Sequence, residues 1–255
     1  MKKILILAAH AFLLLPVSCT VKEEREGCPC WLEIDVSACS RHDDVVYLKG
    51  WHGKESQMGD KVYLSDYPEI FVKKVNRGSI SYRAYMGLNT SSASGNTIII
   101  PEGCESDMLY AYAADINTEG EEAHDRIIPH KQFTAVSMKI SGDVSGIAVD
   151  GNTSGFDVAE MAPVPGAFHI EKESDGSGEF MFRIPRQKDK ELILHVIFDG
   201  TIRHTLQLGD IITKTGYDWA AEDLEDIYIS INLTGIDTGI AVEVWKSGET
   251  YNFIS

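Results

Sequence analysis

From Trp31 onward, apolar side chains recur at every second position, in short runs rich in β-branched and aromatic residues. A period of two places alternate side chains on opposite faces of a strand, whereas a helix needs recurrence near 3.6. Trp31 to Val36, Glu69 to Val75, Ser79 to Tyr85, Phe133 to Ile140, Gly178 to Ile184, Leu192 to Phe198 and Asp226 to Leu233 all alternate, and Gly, Asn, Asp and Ser clusters separate them. The pattern commits the chain to an all-β fold. Hydrophobic residues make up 44% of the 255 positions and aromatics 9%, which supplies the core such a fold requires and is too apolar for a disordered chain.

A stretch from Ser141 to Gly155 is rich in Gly, Asp and Asn and places the cheapest domain boundary at 149/150. The expected organisation is an N-terminal β-sandwich over 31–149 and a C-terminal β-sandwich over 150–255, with a single large jelly roll as the other architecture open to the same strand count. Asp175-Gly176 and Asp199-Gly200 supply the positive-φ residues of tight hairpins. Only Asp210 to Glu225 reads as a helical or coiled excursion, with Trp219 and Leu224 as core anchors.

The N terminus sets the compartment. Lys2 and Lys3 precede an apolar run from Ile4 to Leu15, and Pro16-Val17-Ser18-Cys19 follows, which is the grammar of a secretory leader over 1–18. The run of about a dozen residues is shorter than the ~20 a bilayer-spanning helix needs. Cys19 after a small residue resembles a bacterial lipobox, although Leu15 stands four rather than three positions before it. Diacylglyceryl and N-acyl chains on Cys19 would hold the protein on a membrane, since each buried CH₂ contributes about 0.8 kcal/mol. An ordinary leader cleaved near Ser18 is the alternative. Residues 19–30 then read as a lipidated tether, and its Lys22-Glu23-Glu24 resembles the surface-export signal of lipoproteins in Gram-negative anaerobes.

In an oxidising compartment Cys28, Cys30, Cys39 and Cys104 are an even set with three pairings open. Cys28-Pro29-Cys30 lacks the second Cys pair or the spaced histidines that structural zinc takes, so no metal is expected. The formal net charge of −16 opposes phosphate backbones, so no nucleic-acid partner is expected. There is no Gly-x-Ser-x-Gly, His-Glu-x-x-His or phosphate-loop motif, and the many carboxylates are accounted for by solvated faces, so no enzyme is expected. Trp51, within Lys49-Gly50-Trp51-His52-Gly53, is the tryptophan best placed to meet a ligand from a turn.

Glu69 to Asn89 carries a strand, a basic-Gly turn at Arg77-Gly78, an aromatic strand and Gly87-Leu88-Asn89. Together with the lipobox, Cys28-Pro29 and a C-terminal Ile-rich strand ending in Trp245, it resembles the fimbrillin-A-associated anchor family, the FimB-type anchor lipoproteins of type V pili. The resemblance covers most of the chain through degenerate structural motifs. It implies two tandem transthyretin-like sandwiches of Greek-key type and a surface-facing outer-membrane lipoprotein without other cofactors. Its partner would be the fimbrillin shaft subunit, whose fibre it anchors and limits in length. A fimbrial tip or accessory subunit, or a lipoprotein binding glycans or a host protein, stays open beside that role.

Overall fold

The computed structural model describes residues 29–233 in full and the backbone of 241–246 and 249–254. Ten strands precede residue 132: β1 (Pro29–Asp35), β2 (Val45–His52), β3 (Glu55–Tyr63), β4 (Ile70–Asn76), β5 (Ser79–Met86), β6 (Ser92–Ser94), β7 (Thr97–Ile99), β8 (Tyr110–Asn117), β9 (Glu122–Arg126) and β10 (His130–Lys131). After them come β11 (Phe133–Ser141), β12 (Gly146–Asp157), β13 (Ala162–Glu173), β14 (Glu179–Pro185), β15 (Ile193–Phe198), β16 (Thr201–Leu206), helix α1 (Leu208–Lys214), β17 (Ile227–Asn232), β18 (Ala241–Lys246) and β19 (Glu249–Ile254). Among the described residues no helix is long and apolar enough to cross a membrane.

The strands form two tandem sandwiches. In the first, the sheet β4-β1-β9 faces β10-β8-β5-β2-β3. Leu32 and Ile34 of β1, Leu48 of β2 and Tyr82 of β5 turn inward at alternate positions, and all are essentially inaccessible to water. In the second, β14-β11-β17-β18-β19 faces β16-β15-β12-β7-β6, with β13 also on β12, over a core that includes Val136, Ile147, Phe182, Leu194 and Ile229. The alternation predicted from the sequence is therefore what buries each core.

Three connections differ from the sequence reading. The expected boundary at 149/150 falls inside β12, which runs unbroken from Gly146 to Asp157 with register shifts between Gly151 and Gly155. The glycines that read as breakers permit these irregularities, and Gly155 also lets β7 approach: a Cβ there would stand 2.0 Å from the Ile98 carbonyl oxygen. Strands β6 and β7, though early in the chain, thereby extend the second sandwich. Asp175-Gly176 does not close a hairpin, because β13 pairs with β12 and β14 with β11 in the facing sheet. Asp199-Gly200 does close one, with both residues at positive φ between β15 and β16. The expected helical or coiled excursion is helical up to Lys214.

The sandwiches share an apolar seam. Tyr85, Leu109 and Ala111 pack with Ile98, Phe156 and Val158 in one buried cluster. The connection from β7 to β8 reinforces it through Asp107, whose carboxylate accepts the backbone N–H groups of Asn89, Thr90 and Ser91 and the Thr90 hydroxyl. Burial pushes the Asp107 carboxyl up, but these donors outweigh it and hold it below the usual carboxylate range.

Candidate functional site

The outward face of the β14-β11-β17 sheet is where apolar side chains collect in solvent. Met181 on β14 is 78% exposed and Tyr228 on β17 is 55% exposed. The register aligns them: Met181 stands opposite Ser137 of β11, and Ser137 opposite Tyr228. Tyr228 in turn stands opposite Trp245 of β18. Period-two alternation explains why Met181 points outward, since Phe180 and Phe182, on either side of it, are buried.

A groove of about 480 Å³ continues this face toward the first sandwich. Met108 from the β7–β8 connection, 51% exposed, closes one wall, and Tyr110, Phe133, Ala135 and Met181 contribute the rest. Tyr110 and Phe133 meet edge to face with centroids 5.7 Å apart, and the Lys131 ammonium lies 4.7 Å from the Phe133 ring. Charged pairs border the apolar floor. Lys131 bonds Asp226, whose carboxylate also accepts the Ala135 N–H at 3.0 Å. Glu105 takes Lys172 and, at 3.4 Å, Arg183. An apolar centre with a charged rim is the composition of a protein-docking face rather than of a reaction centre.

A second polar cluster, invisible to local patterning, lies on the outer face of the other sheet. Asp150 of β12 bonds His169 Nδ1 through one carboxylate oxygen at 2.7 Å and His195 Nε2 through the other at 2.9 Å. Cross-strand register brings them together from three strands, so sequence spacing gave no signal. Hydrogen bonding to Asp150 raises the His169 pKa above its ordinary value, and burial opposes the rise.

The residues singled out from the sequence fare unequally. Cys19 and Cys28 lie outside the described residues. Cys30, Cys39 and Cys104 are free thiols, so no disulfide joins any two of them. Cys30 turns into the first core with Leu32 and Ile34, Cys39 is buried on a 3-10 turn, and Cys104 sits half-exposed on the β7–β8 connection. Burial pushes the Cys39 thiol up to about 12, which leaves it an inert packing group. Trp51 is a half-buried residue of β2 rather than a turn residue, because the turn begins at Gly53, where φ is +58°. Trp31, by contrast, is 49% exposed on β1. Met108 and Met181 were missed because an exposed methionine in a strand pattern carries no local signal.

No family model matches the chain, and no curated protein sequence matches it. Solved structures do. The fimbrial anchor protein Mfa2 of Porphyromonas gingivalis superposes with a TM-score of 0.61 at 10% identity, over 88% of this chain and 99% of that one. The chain shares the fold of a fimbrial anchor protein. A DUF1812 protein of Bacteroides thetaiotaomicron, for which polysaccharide binding has been suggested, gives 0.67 at 10% identity over 88% and 98% of the two chains. The tip fimbrial protein Mfa3 of Porphyromonas gingivalis, truncated at its C terminus, gives 0.51 at 7% identity over 88% and 100%. At such identities it is the two-sandwich fold that is shared, including the second sandwich that carries the Met181 face.

Proposed function

We propose that this protein is a non-catalytic, surface-facing outer-membrane lipoprotein that holds the base of a type V fimbria and limits its length, in the manner of the FimB-type anchors. Lipid on Cys19 is its foothold, and the face around Met181 and Met108 receives the shaft subunit. The observation that carries the reading is the match to the anchor protein Mfa2, which spans nearly the whole of both chains. The backbone of β19 pairs with β18 of its own sheet, so residues 249–254 serve their own domain. That arrangement suits a basal subunit, which needs only one half of a strand exchange with its neighbour.

The test is deletion of the gene and, separately, Cys19→Ala, followed by counting fimbriae on cells and in the medium. Shed, lengthened fibres in the deletion strain and shed fibres in Cys19→Ala are the expected result. Fibres that stay attached and unchanged in both strains refute anchoring and return the tip-subunit role to the front.

A further inference from the structure

We propose that Met181, with Met108 beside it, is a site of oxidation to methionine sulfoxide by hydroperoxides, and that this modification releases the partner from the docking face. The consequence for fimbriae rests on the anchoring role proposed above. The chemistry rests on where the sulfurs stand.

The methionines of the described residues fall into two groups. Met58 and Met86 in the first core and Met138 in the second are 3%, 0% and 2% exposed, and Met161 is half-buried against the seam between the sandwiches. Met181 and Met108, at 78% and 51%, are the two that stand open to solvent, and both line the same groove. Strand β14 is the last of its sheet, so no further strand shields Met181 on that side, and the residue opposite it on β11 is the short Ser137. Two residues on, the same edge is closed: Arg183 gives its N–H to Glu105 Oε2 at 3.0 Å, and its carbonyl accepts the Ser106 N–H at 3.2 Å. The connection that carries Met108 therefore seals the edge at Arg183 and leaves Met181 open.

A thioether has no proton to lose, so access to the sulfur decides which methionine reacts first. The sulfur attacks one peroxide oxygen and the O–O bond breaks. The transferred oxygen ends as the sulfoxide, its proton passes to the other oxygen, and that oxygen leaves as water or as an alcohol. Sulfur gives up two electrons and the peroxide accepts them. The product is a polar acceptor in place of a flexible apolar side chain. On the free protein water solvates it, whereas a docked partner would bury it. The cations around the groove are committed, Lys131 to Asp226 and both Lys172 and Arg183 to Glu105, so none stands ready to donate to the new oxygen. One acceptor buried without a donor lowers affinity by about tenfold or more.

The test has two arms. The full-length chain, purified in a peroxide-free detergent, is treated with hydrogen peroxide and mapped by peptide mass spectrometry. Sulfoxide is expected first at Met181 and next at Met108, at least about tenfold faster than at Met58, Met86 or Met138, whose sulfurs are reached only when the fold opens. In cells, a hydrogen peroxide pulse during fimbrial assembly should shed fibres from the wild type and spare Met108→Leu/Met181→Leu, which keeps the apolar volume without the sulfur. The double variant retains Cys104, so shedding in both strains traces the effect to other groups and overturns the proposal. It is overturned too if Met181 oxidises no faster than the buried methionines. If Met181 oxidises and wild-type fibres stay attached while Met181→Asp sheds them, oxidation is no release and the docking face stands. If Met181→Asp also keeps its fibres, the docking face itself fails and the proposal falls with it.

Discussion

Gly155 and Ile98 approach so closely that β12 and β7 could not pair if residue 155 carried a side chain: the Cβ would lie 2.0 Å from the Ile98 carbonyl oxygen. This contact joins an early segment of the chain to the second sandwich. Gly155→Ala should therefore cost about 2 kcal/mol or more, in the range of overpacked cores. Urea unfolding measures it, and an unchanged midpoint would show that β7 can shift without penalty.

Arg186 is the corresponding device on the other side of the second sandwich. Arg186→Met removes the charge but leaves three main-chain carbonyls and the Gln132 amide oxygen without their donor. The expected loss is about 3 kcal/mol, the cost of leaving several buried acceptors unpaired. Thermal unfolding measures the loss, and amide exchange should show faster opening of residues 219–222 than in the wild type.

Met181→Asp tests the docking face. The side chain is 78% exposed, so stability should change by no more than about 0.5 kcal/mol. Fimbrial retention on cells should nevertheless fall, because a charge in the apolar centre of a docking face is costly to desolvate. Normal retention with normal folding would move the shaft contact elsewhere on the molecule.

His169 and Asp107 act at opposite ends of the pH range. The His169 pKa is raised in the folded state, so its stabilisation is fully present below the unfolded value near 6.5 and is lost as pH rises through the folded value. With both partners about two-fifths exposed, the effect is a few tenths of a kcal/mol after solvent screening. His169→Gln should lower stability at pH 5.5 and leave it unchanged at pH 8.5. Asp107 is depressed instead, so its contribution is present above about pH 4 and is lost as pH falls through its lower folded value. Asp107→Asn should therefore destabilise at pH 7, and the gap should narrow in acid. Denaturant midpoints across this range check both signs.

Much of the secondary structure was legible from the residues themselves. Leu32, Ile34 and Val36 alternate with polar neighbours and are buried as the alternation requires. Asp199-Gly200 marks its hairpin through backbone conformations that few other pairs adopt readily. Strand β3, by contrast, was not legible, because Glu55–Tyr63 turns only Met58 and Val62 into the core, with Asp60 between them on the same face, at the edge of its sheet. The glycines of β12 misled for a related reason: a residue without a side chain can mark either the end of a strand or a place where another backbone comes close.

The sequence by itself determined that this chain is built of strands and where most of them run, because side-chain alternation and turn chemistry act over neighbouring residues. Only the tertiary structure decided which sheet each strand joins, that β13 and β14 part across Asp175-Gly176, and that β6 and β7 extend the second sandwich. It also decided that Met108 meets Met181 in one groove, and that Arg186 reaches residues 219–222. Those relationships depend on packing between segments tens of residues apart, where many pairings satisfy the same local pattern and only the shared burial of two faces selects among them.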